Sequence, residues 1–162
     1  MLEYRRENIL FTDCKYIVHQ CNLVSRGAGG LAKDLFYKFP YADVYKQRDS
    51  NYQPDRRLLG EVDIKGNGVD QRYVINLYGQ FYPGRPRHNQ GFDSYDMRET
   101  YFDKALNGVN GIGGINKIKD LDSIAFPYKI GCGLAGGAWS FYEKILEKFS
   151  NLVNAKVVIC RI

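Results

Sequence analysis

The sequence lacks the features that define several classes of protein. No apolar run approaches the roughly 18 residues that a membrane-spanning helix requires, so we expect no membrane association. The N-terminal stretch MLEYRRENIL has neither the long apolar segment nor the small-residue cleavage site of a secretory signal peptide. Together these absences predict a cytoplasmic protein.

Residues that bind metals or form disulfides are also scarce. The four cysteines form no CxxC pair and have no zinc-ligand spacing relative to the two histidines. In a cytoplasmic chain of this size we expect free thiols. We therefore predict no metal site and no cofactor.

Length and composition set the size and charge of the fold. With 162 residues, 44% of them hydrophobic, the chain is long enough to bury a core. It contains no internal repeat and no linker, so we predict one domain over residues 1–162. The 23 basic and 18 acidic residues give a net charge of +5, spread along the chain. This charge suits an anionic ligand, from a nucleotide to a nucleic acid, and equally suits a solvated basic surface.

Short apolar runs alternate with amphipathic segments. The runs that predict strands are YIVH, LGEVDI, RYVINLYG, SIAFPY and KVVICRI. The segments that predict helices are LAKDLFYKF, YADVYKQR, DMRETYFDKALNGV and WSFYEKILEKF. One face of the first helix carries Leu31, Leu35, Phe36 and Phe39, and this helix ends at Pro40. The alternation predicts an α/β fold with helices on both faces of a sheet and ligands at the carboxyl ends of the strands.

Two glycine-rich turns join a predicted strand to a predicted helix. They are SRGAGGLAK, from Ser25 to Lys33, and GCGLAGGAW, from Gly131 to Trp139. Glycine lets a ligand approach the backbone, and the free amides at the start of the following helix attract an anion. One such turn would suggest only a chain reversal, whereas two favour a ligand with an extended phosphate group. Neither turn contains the GK[ST] of a Walker A loop.

Four segments, taken together and in order, resemble the macrodomain family, which binds ADP-ribose. They are YIVHQCNLVSRGAGGLAKDLFYKFP, YVINLYGQFYPGRP, IAFPYKIGCGLAGGAW and KVVICRI, and they span nearly the whole chain. The resemblance is closest to the branch of ADP-ribose-1″-phosphate phosphatase-like proteins of bacteria and phages. It implies a three-layer α/β/α fold with a mixed, mostly parallel six-stranded sheet. It also implies a monomer, in the host cytoplasm if a phage encodes the chain.

The same resemblance implies a set of ligand-binding residues. Asn8 falls where many macrodomains have an aspartate that accepts a hydrogen bond from adenine, and Ile9 follows it. Asn22 matches an asparagine near the distal ribose. The residues implied around that ribose and the phosphates are Gly27, Ala28, Gly29, Gly30 and Leu31 in the first turn. Those implied at the diphosphate are Gly131, Cys132, Gly133, Leu134, Ala135, Gly136, Gly137, Ala138 and Trp139, most of them through backbone amides.

Catalysis at the distal ribose would require a group that moves a proton. The candidates are His19, Asn22 and Gln80, and His19 is equally well explained as a core histidine bonded to its neighbours. In the long loop QFYPGRPRHNQGFDSY, Tyr82 and Arg85 are candidates for stacking and for pairing with phosphate, respectively. Arg87 and His88 in that loop are expected to be solvated. Cys132 and Trp139 also have simple packing explanations.

The sequence lacks a carboxylate where related proteins have one. In related glycohydrolases an aspartate follows GCGL, and in the most similar branch the loop often ends GGDW. Here the two places are Ala135 and Ala138. Either the reaction uses other residues, or the chain binds without turnover, or Ala138 is an engineered replacement.

Three functions therefore stay open from the sequence. The first is hydrolysis of ADP-ribose-1″-phosphate or of an ADP-ribosyl bond to protein or nucleic acid. The second is a binder, either a reader of ADP-ribosyl groups or a sponge for NAD-derived nucleotide signals in phage–bacteria conflict. The third is a basic nucleic-acid-binding domain, which the scattered charge favours least.

Overall fold

The computed structural model describes residues 1–87 and 90–162. Its strands are β1 (Leu2–Arg6), β2 (Tyr16–Asn22), β3 (Val62–Lys65), β4 (Tyr73–Gln80), β5 (Ser123–Pro127) and β6 (Lys156–Arg161). Its helices are α1 (Gly30–Lys38), α2 (Tyr95–Asn107) and α3 (Trp139–Leu152). Single turns of 3₁₀ helix occupy Ile9–Phe11, Pro40–Ala42, Arg56–Leu58, Gly91–Asp93 and Ile115–Lys117.

The six strands form one mixed sheet in the order β1-β6-β5-β2-β4-β3. All neighbouring pairs are parallel except β3 with β4, which is antiparallel. The five parallel strands therefore present their carboxyl ends at the same edge of the sheet. This topology confirms the mostly parallel six-stranded sheet that the resemblance implied.

Helices cover both faces of the sheet because successive strand residues point to opposite sides. In β2, Ile17 packs in the cluster that contains Leu35 of α1. Its neighbour Val18 packs in the opposite cluster, which contains Phe102 of α2 and Leu146 of α3. The sheet is thus the middle of three layers, as predicted.

The helix predicted over YADVYKQR is wrong. Only Pro40–Ala42 forms a 3₁₀ turn there. The Asp43 Oδ1 atom accepts hydrogen bonds from the amides of Tyr45 and Lys46, each at 3.0 Å. A side chain that binds these amides replaces the backbone bonds of a helix, and the segment becomes a turn.

The structure contains two elements that the sequence analysis did not predict, the strand β1 and a 3₁₀ turn in the loop after β4. The first strand, β1, was not predicted, since only Leu2 of its five residues is buried and it pairs on one side only. The loop after β4 contains the 3₁₀ turn Gly91–Asp93, while His88 lies outside the described residues. No helix in the described part of the chain is long and apolar enough to cross a membrane.

Candidate functional site

A cleft of about 440 Å³ lies where strands β2, β4 and β5 end. The last residues of these strands, Asn22, Gln80 and Pro127, all line it. Ligands of open α/β sheets collect at this edge because the connecting loops leave the sheet there. Pockets for small ligands occupy about 300–1,000 Å³, so the volume is large enough for a nucleotide-sized molecule.

Asn22 enters the cleft with most of its hydrogen bonds already made. Its Oδ1 accepts from the amides of Val24 at 3.0 Å and Ser25 at 2.7 Å, and its Nδ2 donates to the Tyr45 hydroxyl at 3.3 Å. The side-chain amide therefore shapes the first glycine loop, residues 23–29. Because an amide nitrogen has two protons, one remains for a ligand.

The first glycine loop leads into a helix whose start has no side-chain cap. Gly29 is the N-cap residue of α1 and offers no side chain to the first amides. Within residues 1–87 and 90–162, the amides of residues 27–31 donate no hydrogen bond to a loop or turn carbonyl. Four of these residues, Gly27, Gly29, Gly30 and Leu31, line the cleft. Uncapped amides at a helix start form a site for an anion.

The second glycine loop, residues 128–138, divides its amides into two groups. Cys132, Gly136 and Gly137 donate within the loop, to the carbonyl oxygens of Lys129, Gly133 and Gly131, respectively. No acceptor in the described chain is bonded to the amides at 131, 133, 134 and 135. These same four residues line the cleft, whereas the three internal donors do not. The loop thus closes on itself with one set of amides and leaves the other set for a ligand.

The role expected for Gly136 and Gly137 changes accordingly. Their amides hold the loop together instead of facing the cleft. The last residue of the loop, Ala138, is the N-cap of α3 and makes no side-chain cap. By contrast, α2 starts away from the cleft and is capped, since the Ser94 Oγ accepts from the Met97 amide at 3.1 Å.

The charge of the cleft favours an anion. Its lining includes Lys129, and no Asp or Glu of the described chain contributes to it. Lys129 adopts a left-handed backbone conformation, with φ of 61°, at the start of the second glycine loop. Within residues 1–87 and 90–162, no group of three His, Cys, Asp or Glu side chains is placed to hold a metal ion.

His19 lines the cleft, but its side chain is buried. The ring is 2% exposed, its Nε2 pairs with Asn76 Oδ1, and Phe36 packs edge-on against it. Burial lowers the pKa of His19 from 6.5 to about 4. A neutral ring with this pKa is a weak base at neutral pH, so the geometry favours the packing explanation over the catalytic one.

The loop after β4 supplies one wall of the cleft. The Gln80 Oε1 atom accepts from Gln20 Nε2 at 2.7 Å, and Gln80 Nε2 donates to the Tyr82 carbonyl oxygen at 2.8 Å. Gln80 lines the cleft, whereas Tyr82 and Arg85 do not. A catalytic role for Gln80 stays a prediction. Arg85 instead lies over Gly136, where an added Cβ would be 3.0 Å from its Nη1. Arg87 stacks on the Tyr82 ring at 4.1 Å.

The predicted ligand residues outside the cleft lining are Asn8, Ile9, Ala28, Tyr82, Arg85, Cys132, Gly136, Gly137, Ala138 and Trp139. Asn8 follows β1 at the same edge of the sheet, where its Oδ1 accepts from the Leu10 amide at 3.0 Å. Trp139 packs edge-on against Tyr128 with ring centroids 5.2 Å apart. Burial raises the pKa of Cys132 to about 11, which suits a packing role. A ligand role for Asn8 stays a prediction.

The structure adds residues that the sequence analysis did not select. Cleft-lining additions include Gln20, Tyr45, Pro83, Gly84, Tyr128 and Lys129. Tyr128 and Lys129 could have been found, because they lie between the predicted strand SIAFPY and the glycines. Tyr45 could not, since it belongs to the segment wrongly predicted as a helix.

The curated proteins that are similar in sequence to this chain include a phage protein and an ADP-ribose 1″-phosphate phosphatase. An uncharacterised 17.5 kDa protein of Enterobacteria phage T4 is 27% identical over 151 residues, covering 92% of this chain and 88% of that protein. An ADP-ribose 1″-phosphate phosphatase of Debaryomyces hansenii is 27% identical over 154 residues, covering 86% of each chain. No family model matches the chain.

Solved structures share its fold. The macrodomain of Thermus aquaticus DarG superposes with a TM-score of 0.65 at 20% identity, covering 100% of this chain and 98% of that one. Thermosipho africanus DarTG in complex with ADP-ribose superposes with a TM-score of 0.62 at 17% identity, covering 99% of this chain and 41% of that one. The resemblance seen in the glycine loops is thus confirmed over the whole sheet, and the chain has the macrodomain fold.

Proposed function

We propose that the chain binds ADP-ribose, or a derivative of it, in the cleft between the two glycine loops. The observation that carries this proposal is the match between free amides and cleft lining in the second glycine loop. Residues 131, 133, 134 and 135 line the cleft, and their amides donate no hydrogen bond within the described chain, so they are available to a diphosphate. The uncapped start of α1, where Gly29 and Gly30 line the cleft, adds the positive end of a helix dipole.

The likeness to known proteins supports the same ligand. A solved structure with this fold contains ADP-ribose, and a curated relative is named as a phosphatase of ADP-ribose 1″-phosphate. The similarity to a phage T4 protein supports a phage setting, in which the chain would act in the host cytoplasm as a monomer. An ADP-ribosyl group on a protein or a nucleic acid would enter the cleft by its ADP-ribose moiety.

Hydrolysis is the second candidate, and the name of the Debaryomyces hansenii relative favours it. The cleft lining does not, because its residues include no carboxylate from the described chain. The other proton carrier, His19, is buried and has a pKa lowered to about 4. We therefore rank binding without turnover, as a reader or a sponge, ahead of catalysis.

Calorimetry with ADP-ribose tests binding and its location. We expect the unmodified chain to bind with a Kd of about 1 μM or below. Gly133 lines the cleft, and a Cβ added there would meet no atom within 4 Å. Gly133→Asp therefore adds a negative charge beside the diphosphate, whereas Gly133→Asn adds the same bulk without charge. We expect the Asp variant to bind at least about tenfold more weakly than the Asn variant.

Two outcomes would contradict the proposal. Absence of ADP-ribose binding by the unmodified chain would exclude both the reader and the hydrolase. Equal affinities for the Asp and Asn variants would show that the ligand does not bind at the second glycine loop.

Ala138 allows a test of the missing acid. Its extended backbone, with φ of −93° and ψ of 118°, is that of an N-cap residue. Ala138→Asp and Ala138→Asn should both cap α3 and raise the free energy of unfolding by about 1 kcal/mol. Because the new carboxylate would bind the helix amides, we expect no phosphate release from ADP-ribose-1″-phosphate in either variant. Release by the Asp variant alone would identify position 138 as the place of a lost catalytic acid.

A further inference from the structure

A buried ion pair lies behind the wall of the cleft that follows β4. Asp93 ends the 3₁₀ turn Gly91–Asp93, and Arg98 lies in the second turn of α2. The side chains are 0% and 1% exposed, respectively, and Arg98 Nη2 lies 2.7 Å from Asp93 Oδ2. Neither residue lines the cleft.

Both members of the pair bind the backbone of the β4 loop, residues 81–84. The carboxylate of Asp93 accepts from the Phe81 amide at 2.7 Å and from the Tyr82 amide at 3.1 Å. Arg98 donates to the carbonyl oxygens of Gly84 at 2.7 Å and Tyr82 at 3.2 Å. Amides and carbonyls of the loop are therefore held from the same side by two opposite charges.

Stability alone does not explain such a pair. Removing two charges from water costs several kcal/mol per ion, and apolar residues of similar volume often stabilise a core equally well or better. The planar guanidinium does offer a fixed fork of donors that an apolar side chain or a lysine lacks. The gain from this arrangement is a defined backbone geometry for residues 81–84.

That geometry reaches the cleft through Gly84, which lines it and binds Arg98, and through the Tyr82 carbonyl oxygen. The Tyr82 carbonyl accepts from both Arg98 Nη2 and Gln80 Nε2. Gln80 in turn accepts from Gln20, and both glutamines line the cleft together with Pro83 and Gly84. A shift of the β4 loop would therefore move the polar groups that face a ligand.

The strand order shows which part of the ligand these groups meet. The second glycine loop follows β5, while the β4 loop lies beyond β2 on the opposite side from β5. If the diphosphate lies on the second glycine loop and the adenine near Asn8 after β1, the distal ribose extends toward β4. The β4 loop then contacts the ribose and leaves the ADP portion alone.

We propose that Asp93 and Arg98 are positioning residues that fix Gln80, Pro83 and Gly84 against the distal ribose, and so determine the preference for ADP-ribose over ADP. This inference rests on the proposed function. It makes the buried pair a determinant of ligand selectivity although neither side chain touches the ligand.

The test compares two ligands in conservative variants. Arg98→Lys keeps the charge but cannot bond Asp93, Tyr82 and Gly84 at once, and Asp93→Asn keeps the shape. We expect each variant to bind ADP-ribose about tenfold more weakly and ADP within about twofold of the unmodified chain. The control is Asp103→Asn, which breaks the exposed pair of Asp103 with Lys148 on the same helix. Both affinities should stay unchanged in the control.

Each outcome separates the inference from the proposed function. An equal loss of affinity for ADP and ADP-ribose would reflect general destabilisation and overturn the inference, as would unchanged affinities.

If the unmodified chain bound neither ligand, the proposed function would fail. Hydrogen exchange in the unliganded protein would then decide the positioning role. If Arg98 positions the β4 loop, the Phe81 and Tyr82 amides lose protection from exchange in Arg98→Lys while the amides of β2 keep theirs. Retained protection at Phe81 and Tyr82 would contradict the positioning role.

Discussion

Replacing Gly137 by alanine is expected to remove most of the affinity for ADP-ribose. A Cβ at this position would lie 2.6 Å from the Gly131 carbonyl oxygen and 2.9 Å from a ring carbon of Tyr142. Tyr142 is buried in the core and cannot move away, so the second glycine loop would have to open. Loss of two amide bonds to a charged phosphate, at about 1.5 kcal/mol each, corresponds to about a hundredfold weaker binding. Titration calorimetry measures this loss directly.

The same loop provides the control for the Gly137 variant. Gly133→Ala adds an identical methyl group in open space, with no atom within 4 Å. We expect Gly137→Ala to lower the free energy of unfolding by about 1–3 kcal/mol, as overpacking does, and Gly133→Ala to leave it unchanged. Full ADP-ribose affinity in Gly137→Ala would show that the closed form of the second glycine loop is not the anion site.

The sequence predicted the parts of the site that depend on local backbone chemistry. Glycines between a strand and a helix indicate amides near a helix start whatever the distant packing, and both glycine loops line the cleft. The sequence could not say which amides are free. That division depends on hydrogen bonds across the loop, such as Gly137 to the Gly131 carbonyl, which the order of glycines does not encode.

The residues that sequence reasoning missed act through tertiary contacts. Asp93 and Arg98 belong to no recognisable motif, and the backbone that they bind, residues 81–84, meets them where α2 packs on β4. Arg48 is similar. It is 9% exposed, stacks between Tyr45 and Tyr52, and donates to the carbonyl oxygens of Asn22 and Ser25.

Arg48 and Arg98 thus play parallel roles. Each binds, through carbonyl oxygens, a loop that follows a strand at the cleft. An arginine in a sequence suggests a solvated surface or a phosphate ligand, and Arg85 was selected on that basis. In this fold the buried arginines support the backbone that binds the ligand, and Arg85 covers the second glycine loop at its surface.

His19 is expected to make the protein less stable as the pH falls from 7 to 4. Burial lowers its pKa from 6.5 to about 4 in the folded protein. Between these values the unfolded chain binds a proton that the folded protein does not bind, so the free energy of unfolding falls with decreasing pH. At 1.36 kcal/mol per pKa unit the total loss is about 3 kcal/mol, complete near pH 4.

His19→Gln isolates this contribution, because glutamine has no proton to gain yet keeps an N–H donor for Asn76 Oδ1. Denaturant unfolding of both proteins from pH 8 to pH 4 measures the difference in their free energies of unfolding. That difference should be constant above pH 7 and shift by about 3 kcal/mol in favour of the variant by pH 4. Parallel curves would mean that the pKa of His19 is the same in the folded and the unfolded protein. Its candidacy as a general base would then be restored, since a ring with an ordinary pKa can exchange protons near neutral pH.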